Sequence, residues 1–382
     1  MSYLLLFTIL APALHLISLD VPYPPDYGGM VDVFYKIKNL HEVGVKIYLH
    51  CFDYGRGEQP ALLPYCEKVF YYKRKTGLAG LSLKLPYMLY SRRDEALLKN
   101  LITIEAPILF EGVHSTYYMA HPALQDRLKL LRNQNVEQDY FALLAQREPN
   151  FLKKCYYKIE AALLRKAENN LQAADIFLTV AAHDHDFFKQ KYPDHQHDYM
   201  PSFQPYNSIQ GFVGIGNYAL YHGNLGHPEN IEAAVYLLKE VCTVINYPFV
   251  FAGKNPHPSI VELAAQLPHC KVIANPDMEH MDTLIAEAQV HVMPTFQPTG
   301  LKLKLLHALF NGRHVVVNAD MVVGTGLESI CSVAESAQGF VSFIEQIKTQ
   351  PFDEATKAQR ANLLLARYNN KANALRLKHY LQ

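Results

Sequence analysis

Short apolar runs alternate with helix-period segments along nearly the whole chain, and that alternation leaves few folds open. Runs at 14–19, 45–51, 68–72, 107–111, 128–131 and 175–180 read as buried strands. Between them lie helical segments at 30–43, 94–101 and 137–171, and another at 184–191 follows the last run. After 216 the alternation restarts, with strands at 218–222, 248–252, 271–274, 290–293 and 314–318. Strands that alternate with helices pair parallel, because a crossover helix returns the chain to the same end of the sheet. The expected class is α/β, with two Rossmann-like doubly wound domains facing across a cleft. Residues 201–216 (PSFQPYNSIQGFVGIG) lack a period and carry the prolines and glycines of a linker. The expected division is therefore 1–200, a linker at 201–216, a second domain at 217–352 and terminal helices at 353–382. A length of 382 residues suits two such domains.

Ligands of such sheets gather beyond the strands' C-terminal ends. In the first half the loop DVPYPPDYGG follows the first strand, and Gly28 and Gly29 lead into a helix closed by Gly44. Glycines there let a phosphate or sugar approach the backbone and the helix N-terminus, although a tight turn alone also needs them. Glu111 and His114 stand at the end of the strand 107–111 and are the acid/base candidates of this half; a satisfied surface histidine remains the alternative. Arg132, Asn135 and Glu137 fall on the same rim.

In the second half Gly223, Lys254, Lys302 and the glycine loop 324–326 take equivalent positions. The helix expected at 300–312 is apolar nearly all round, so it is buried and its polar exceptions carry information. Lys304, His307 and Asn311 share one face beneath Gly300, and Lys302 falls in the first turn. A cation there is opposed by the helix dipole and calls for an anion, with a phosphate at the free N–H groups the usual answer. Lysines that snorkel to solvent are the bland alternative.

Composition removes several classes. Lys+Arg 36 balances Asp+Glu 36, so no global field recruits nucleic acid. The six cysteines are scattered without C-x-x-C spacing and read as core residues of a reducing compartment. HDHDFF at 183–188 and HQH at 195–197 lack the spacing of a zinc helix, so no metal is expected. Residues 3–19 are apolar but interrupted by Thr8, Pro12, His15 and Ser18. They are preceded by no Lys or Arg, which fits neither a signal peptide nor a membrane span.

DVPYPPDYGG, YHGNL, FAGKN, NPD and TGLKLKLLHALFNGRHVVVN, in that order from about Ala13 onward, resemble the family 4 glycosyltransferases of GT-B fold. The likeness is nearest a bacterial branch associated with cell-surface polysaccharides. It implies a cytoplasmic hexosyltransferase that uses a nucleotide-sugar donor, with retention and without metal or further cofactor. It also implies a saccharide or lipid-linked acceptor on the first domain and a weak peripheral contact with the inner face of the membrane. The family's phosphate-binding glycine loop is resembled by Gly28 and Gly29, a lysine of some relatives by Lys304, and its N-domain histidine by His114. Its usual Arg/Lys pair after the second domain's first strand is not evident in GNLGHPEN. With Gly223, Lys254, Thr299, Gly300, Lys302 and His307, the two glycines and Lys304 complete the expected donor-binding set. The last helix typically crosses back to the first domain. The family's two glutamates fall on Thr299 and His307, neither of which is acidic. That departure keeps open a degenerate GT-B protein that binds a nucleotide or partner only. A 2-epimerase of this architecture would need cleft carboxylates that the motif lacks. A scaffold protein has only the 25 tyrosines to suggest it.

Overall fold

The computed structural model describes residues 11–297 and 302–382. The chain divides into two compact units, Tyr206–Arg367 forming the second and everything before it, with Tyr368–Gln382, the first. Each is built on one sheet whose neighbouring strands are all parallel. The first sheet contains β1 (Ala13–Ser18), β2 (Lys46–Asp53), β3 (Lys68–Lys73), β4 (Ile108–Glu111), β5 (Lys129–Asn133), β6 (Ile176–Thr179) and β7 (Gln196–Tyr199). Their order is β3-β2-β1-β4-β5-β6-β7. The second contains β8 (Ala219–Asn224), β9 (Phe249–Lys254), β10 (Cys270–Ala274), β11 (Val290–Met293), β12 (His314–Val317) and β13 (Ser332–Val333), ordered β10-β9-β8-β11-β12-β13. Both sheets thus reverse direction once, between β1 and β4 and between β8 and β11, which puts a ligand crevice at each switch point.

Burial on both sides explains the apolar runs. In the first sheet Leu14, Leu16, Leu49, Leu109 and Leu130 pack on the helix Gly28–Glu42 through Met30, Val33, Ile37 and Leu40. Ile17, Phe52, Phe110 and Leu131 point the other way, onto Leu97, Leu101 and Leu164. Two strands had no sequence signal. β7 reads QHDY, an edge strand whose His197 ring stacks on Phe177 at 5.2 Å, and β13 has only two residues. The single helix expected at 137–171 is two helices, Glu137–Arg147 and Phe151–Ala167. Pro149 lacks an N–H, and the Asn150 side chain caps the second helix by accepting from the Lys153 N–H at 3.1 Å.

The stretch 201–216 is packed rather than free. Arg132 donates to the carbonyls of Met200 and Pro201 (2.9 and 3.0 Å), and Gln204 exchanges hydrogen bonds with Asn370. Beyond the division, Gln210 donates to the Phe310 carbonyl at 2.8 Å. A Cβ on Gly211 would stand 2.7 Å from the Gly312 oxygen, so this close approach requires glycine. The terminal helices separate likewise. Glu354–Arg367 stays in the second unit, its buried Arg360 donating to the Gly312 carbonyl at 2.9 Å. Asn370–His379 belongs to the first unit and packs Ala374 and Leu377 against the core beneath Gly28–Glu42.

Beneath the first switch point lies a buried ionic network. Asp32 accepts two hydrogen bonds from Arg132 (2.9 and 3.0 Å), one from Lys36 (3.1 Å) and one from the Phe203 N–H (2.6 Å). Lys36 also reaches Glu111 at 2.5 Å.

Candidate functional site

At the second switch point the loop after β8 opens the helix Pro228–Tyr236, and the chain after β11 leads to the helix Leu303–Asn311. That helix begins three residues later than the sequence suggests, so Lys302 is its N-cap residue and Lys304 lies in its first turn. Thr299 and Gly300 lie outside the described residues. Lys302 pairs with Glu229 at 3.3 Å, and the Thr295 hydroxyl donates to the same carboxylate oxygen at 2.7 Å. Asn318 holds Thr295 in place, accepting from its N–H at 3.0 Å and donating to its carbonyl at 2.6 Å. Lys304 donates to the Asn230 side-chain oxygen at 2.7 Å and sits 5.1 Å from the Tyr221 ring centroid.

Two ammonium groups and one carboxylate therefore meet where two helices begin. Burial would raise the Glu229 carboxyl. Lys302, the Thr295 hydroxyl and Lys304 outweigh it and hold the group below the usual carboxylate value. Burial lowers Lys304 to about 8, with Glu229 pulling upward and Lys302 downward. The residues nearest this centre that sequence reasoning missed are Glu229, Asn230 and Thr295. Gly223 explains part of the geometry: a Cβ there would stand 3.3 Å from the Asn230 amide nitrogen, so glycine lets Asn230 lie across the strand end and meet Lys304. Lys254 ends β9 in register with Asn224, exposed on the same edge.

His307 lies one turn beyond Lys304. Its Nε2 is 2.9 Å from an oxygen of Asp282, and its ring stacks on Tyr206 at 5.3 Å. Behind it, His222 is buried with its Nε2 unpartnered, its ring 5.7 Å from that of His307. Burial first, then His307 and His291, keep His222 neutral. Among the described residues, no three His, Cys, Asp or Glu side chains converge as a metal set would.

In the first unit Gly28 and Gly29 open their helix at the β1 switch point, and a Cβ on Gly29 would meet the Gln134 side chain at 3.1 Å. His114 lies in the turn after β4. Burial, Arg92 and Arg74 drive its pKa well below the usual value, so the ring is neutral, and its Nδ1 has no partner. Arg92 bonds the Leu19 carbonyl of the β1 loop at 2.7 Å. Glu111 corrects the acid/base reading of its position. It is fully buried, and Lys36 occupies one oxygen, so the carboxylate cannot touch a substrate. Burial raises it against the pull of Lys36.

A second buried carboxylate lies on this rim. Burial pushes Glu137 up to about 7; Asn135 and Arg92 pull the other way, while Asp184 adds to the rise. A folded pKa above the unfolded one means stability that is complete below the unfolded value of 4.5 and lost as pH rises to about 7. Glu137→Gln removes that loss. The variant should match wild type near pH 4 and exceed it by about 3 kcal/mol near pH 8, read as the difference in urea unfolding. Equal pH dependence in the two proteins would contradict this assignment.

Residues 216–348 match the family model described as glycosyl transferases group 1. A relative from Klebsiella pneumoniae, described as an uncharacterized 44.6 kDa protein in cps region, is 23% identical over 329 residues, 81% of this chain and 84% of that one. Among solved structures, sucrose-phosphate synthase from Thermosynechococcus elongatus aligns with a TM-score of 0.69 at 13% identity, over 96% of this chain and 98% of that one. The pneumococcal O-GlcNAc transferase GtfA, solved with UDP and GlcNAc, gives 0.65 at 9% over 97% and 98%. HepE of Anabaena, solved with UDP and glucose, gives 0.64 at 10% over 96% and 98%. Two parallel sheets of one strand order, with these likenesses, make this a protein of the GT-B fold. Within its second unit, residues 216–348 carry the match to the glycosyl transferases group 1 model.

Proposed function

We propose that the chain transfers a hexosyl group from a nucleotide-diphosphate sugar to a saccharide or lipid-linked saccharide acceptor, with retention of configuration and without a metal. The observation that carries this reading is the meeting of Lys302 and Lys304 at the N-terminus of the helix Leu303–Asn311, at a switch point. A leaving nucleoside diphosphate gathers negative charge as the glycosidic bond breaks. Two ammonium groups and free N–H groups aimed at it stabilise that charge more in the transition state than in the ground state. Lys254, on the same edge, adds a third cation, and Gly223 clears the strand end. His307, joined to Asp282, is the candidate for the ribose hydroxyls, with Thr299 and Gly300 following the family motif toward the sugar. In the first unit, Gly28 and Gly29 leave backbone N–H groups open to a phosphate. Neutral His114 is suited to accept or donate one hydrogen bond at the sugar, and we assign it the positioning role first shared with Glu111. The relatives solved with UDP and a sugar support a nucleotide-sugar donor.

One observation favours a second reading, a protein that binds the nucleotide without turnover: Glu229 already neutralises Lys302, and both family glutamates are replaced. Calorimetric titration of UDP, GDP, ADP and CMP should find one that binds at micromolar concentration. The matching nucleotide-sugars, assayed for hydrolysis and for transfer to saccharides, then separate the readings. Turnover supports the enzyme, whereas binding with neither hydrolysis nor transfer supports the second reading. If no nucleotide binds, both readings fail.

A further inference from the structure

The loop that leads into Gly28 and Gly29 reads DVPYPPDY over residues 20–27, with two carboxylates and no cation. The helix it opens, Gly28–Glu42, has no side-chain cap from its N-cap residue Tyr27 and no acid in its first turn. The positive helix end is thus left to an anion, yet two acids stand in the chain just before it. One residue of another loop answers both. Arg56, which follows β2, pairs with Asp20 through Nε at 3.2 Å and with Asp26 through Nη2. Its Nη1 donates to the Pro24 carbonyl at 2.7 Å, and its guanidinium lies 5.1 Å from the Tyr27 ring centroid. Tyr27 in turn donates its hydroxyl to Asp20 at 3.0 Å.

Arg56 is itself held on a tight turn. The Asp53 carboxylate, at the end of β2, accepts from the N–H groups of Gly55, Arg56 and Gly57 at 3.0, 2.9 and 2.9 Å. Gly57 has a φ of +67°, which a residue with a side chain rarely adopts. Gln59 donates to the Arg56 carbonyl at 2.7 Å. Parallel pairing of β1 with β2, Ser18 opposite Cys51, brings the two loops side by side. The Arg56 side chain is only 19% exposed, and three of its nitrogens face three acceptors on one loop. A planar guanidinium can do this, whereas an ammonium is a point charge. Isolated surface ion pairs contribute little, but one guanidinium shared by two carboxylates and a carbonyl is a network.

We propose that Arg56 is a positioning residue for the turn at Gly28 and Gly29. It fixes the loop 20–27 and neutralises the two carboxylates beside the helix N-terminus, so that a phosphate meets backbone N–H groups without opposing charge. With Arg56 removed, Asp20 and Asp26 repel the phosphate and compete with it for the same positive helix end. Arg56 acts through the loop, where three of its nitrogens are engaged, and not on the phosphate. The assignment rests on the donor reading above, which is what brings a phosphate to this turn.

Calorimetric titration of the full chain with UDP, GDP and ADP reads the turn, and amide hydrogen exchange without nucleotide reads the loop. Arg56→Ala should weaken the diphosphate that wild type binds about tenfold, the effect of two uncompensated charges near a helix N-terminus. Affinity for the matching nucleoside, which carries no phosphate, should stay as in wild type. Adding Asp26→Asn to Arg56→Ala should recover about threefold, one of the two charges having been removed. Arg56→Lys should bind between wild type and Arg56→Ala, since it keeps the charge without the fork. In both single variants the amides of Val21 and Asp26, bonded within the loop, should exchange faster. Wild-type diphosphate affinity in Arg56→Ala would overturn the proposal and leave the donor reading standing. So would unchanged exchange across 20–27, or no recovery with Asp26→Asn. An equal loss for nucleoside and diphosphate would also overturn it, making Arg56 a residue of structure only. If wild type binds none of the three diphosphates, the donor reading fails and this assignment fails with it, whatever the exchange shows.

Discussion

Asp32→Ala should destabilise the first unit by about 3–5 kcal/mol, the usual consequence of stripping one partner from a buried ion pair. The carboxylate meets Arg132 through both oxygens, Lys36 through one, and the Phe203 N–H besides. Removing it leaves a fully buried guanidinium with only backbone carbonyls and leaves Lys36 to Glu111 alone. The first unit's calorimetric transition should therefore fall by on the order of 10 °C. A pH series supplies an independent readout. Burial would raise Asp32, but Arg132 and Lys36 outweigh it and hold the carboxyl at about 2, below its unfolded value of 3.8. A depressed folded pKa gives stability that is present above the unfolded value and lost as pH falls through the folded one. Wild type should lose stability between about pH 4 and pH 2, and Asp32→Ala should lack that step. A transition shifted by less than about 2 °C would show that the network contributes nothing net.

The network also marks where the sequence stopped being readable. The strands were legible because burial on both faces writes an apolar run, whereas the strand order that sets both switch points was not. Glu111 stands at a strand end, but its role depends on Lys36, which is 75 residues away in sequence and reads as an ordinary helix-surface lysine. One local signal was present: Asp32 and Lys36, spaced i, i+4, interrupt a helix whose neighbours Val33 and Ile37 are core residues. In the second unit Lys302 and Lys304 could be singled out, because polar side chains on a nearly all-apolar helix need a reason. Their counterparts could not. Glu229 and Asn230 lie more than 70 residues earlier, in a helix whose charge pattern is unremarkable, and only the pairing of β8 with β11 brings them in. The late start of the helix at Leu303 has the same origin: Lys302 takes an extended conformation, where propensity alone would continue the helix back to Gly300.

Lys304→Ala should lower kcat/KM for the donor by about 10²–10³, the range for removing one preorganised group from a developing anion. Loss of charge, rather than loss of packing, is the expected cause, and the pH profile distinguishes the two. Burial brings Lys304 to about 8. In the free enzyme the ammonium is therefore complete near neutrality and fades as pH rises through about 8, so kcat/KM should fall there. A bound diphosphate favours the charged form, so kcat at saturating donor should hold to higher pH. Lys304→Arg keeps its charge throughout this range and should be slower but lack the inflection, because a planar guanidinium cannot reproduce the bond to Asn230 yet does not deprotonate. Glu229 supplies the remaining arm. Its carboxylate is what raises Lys304 against burial, so Glu229→Gln should move the wild-type inflection to lower pH. A kcat/KM profile that stays flat through this region, or an unchanged inflection in Glu229→Gln, would place the donor's phosphates elsewhere on this edge, with Lys254 the next cation to test.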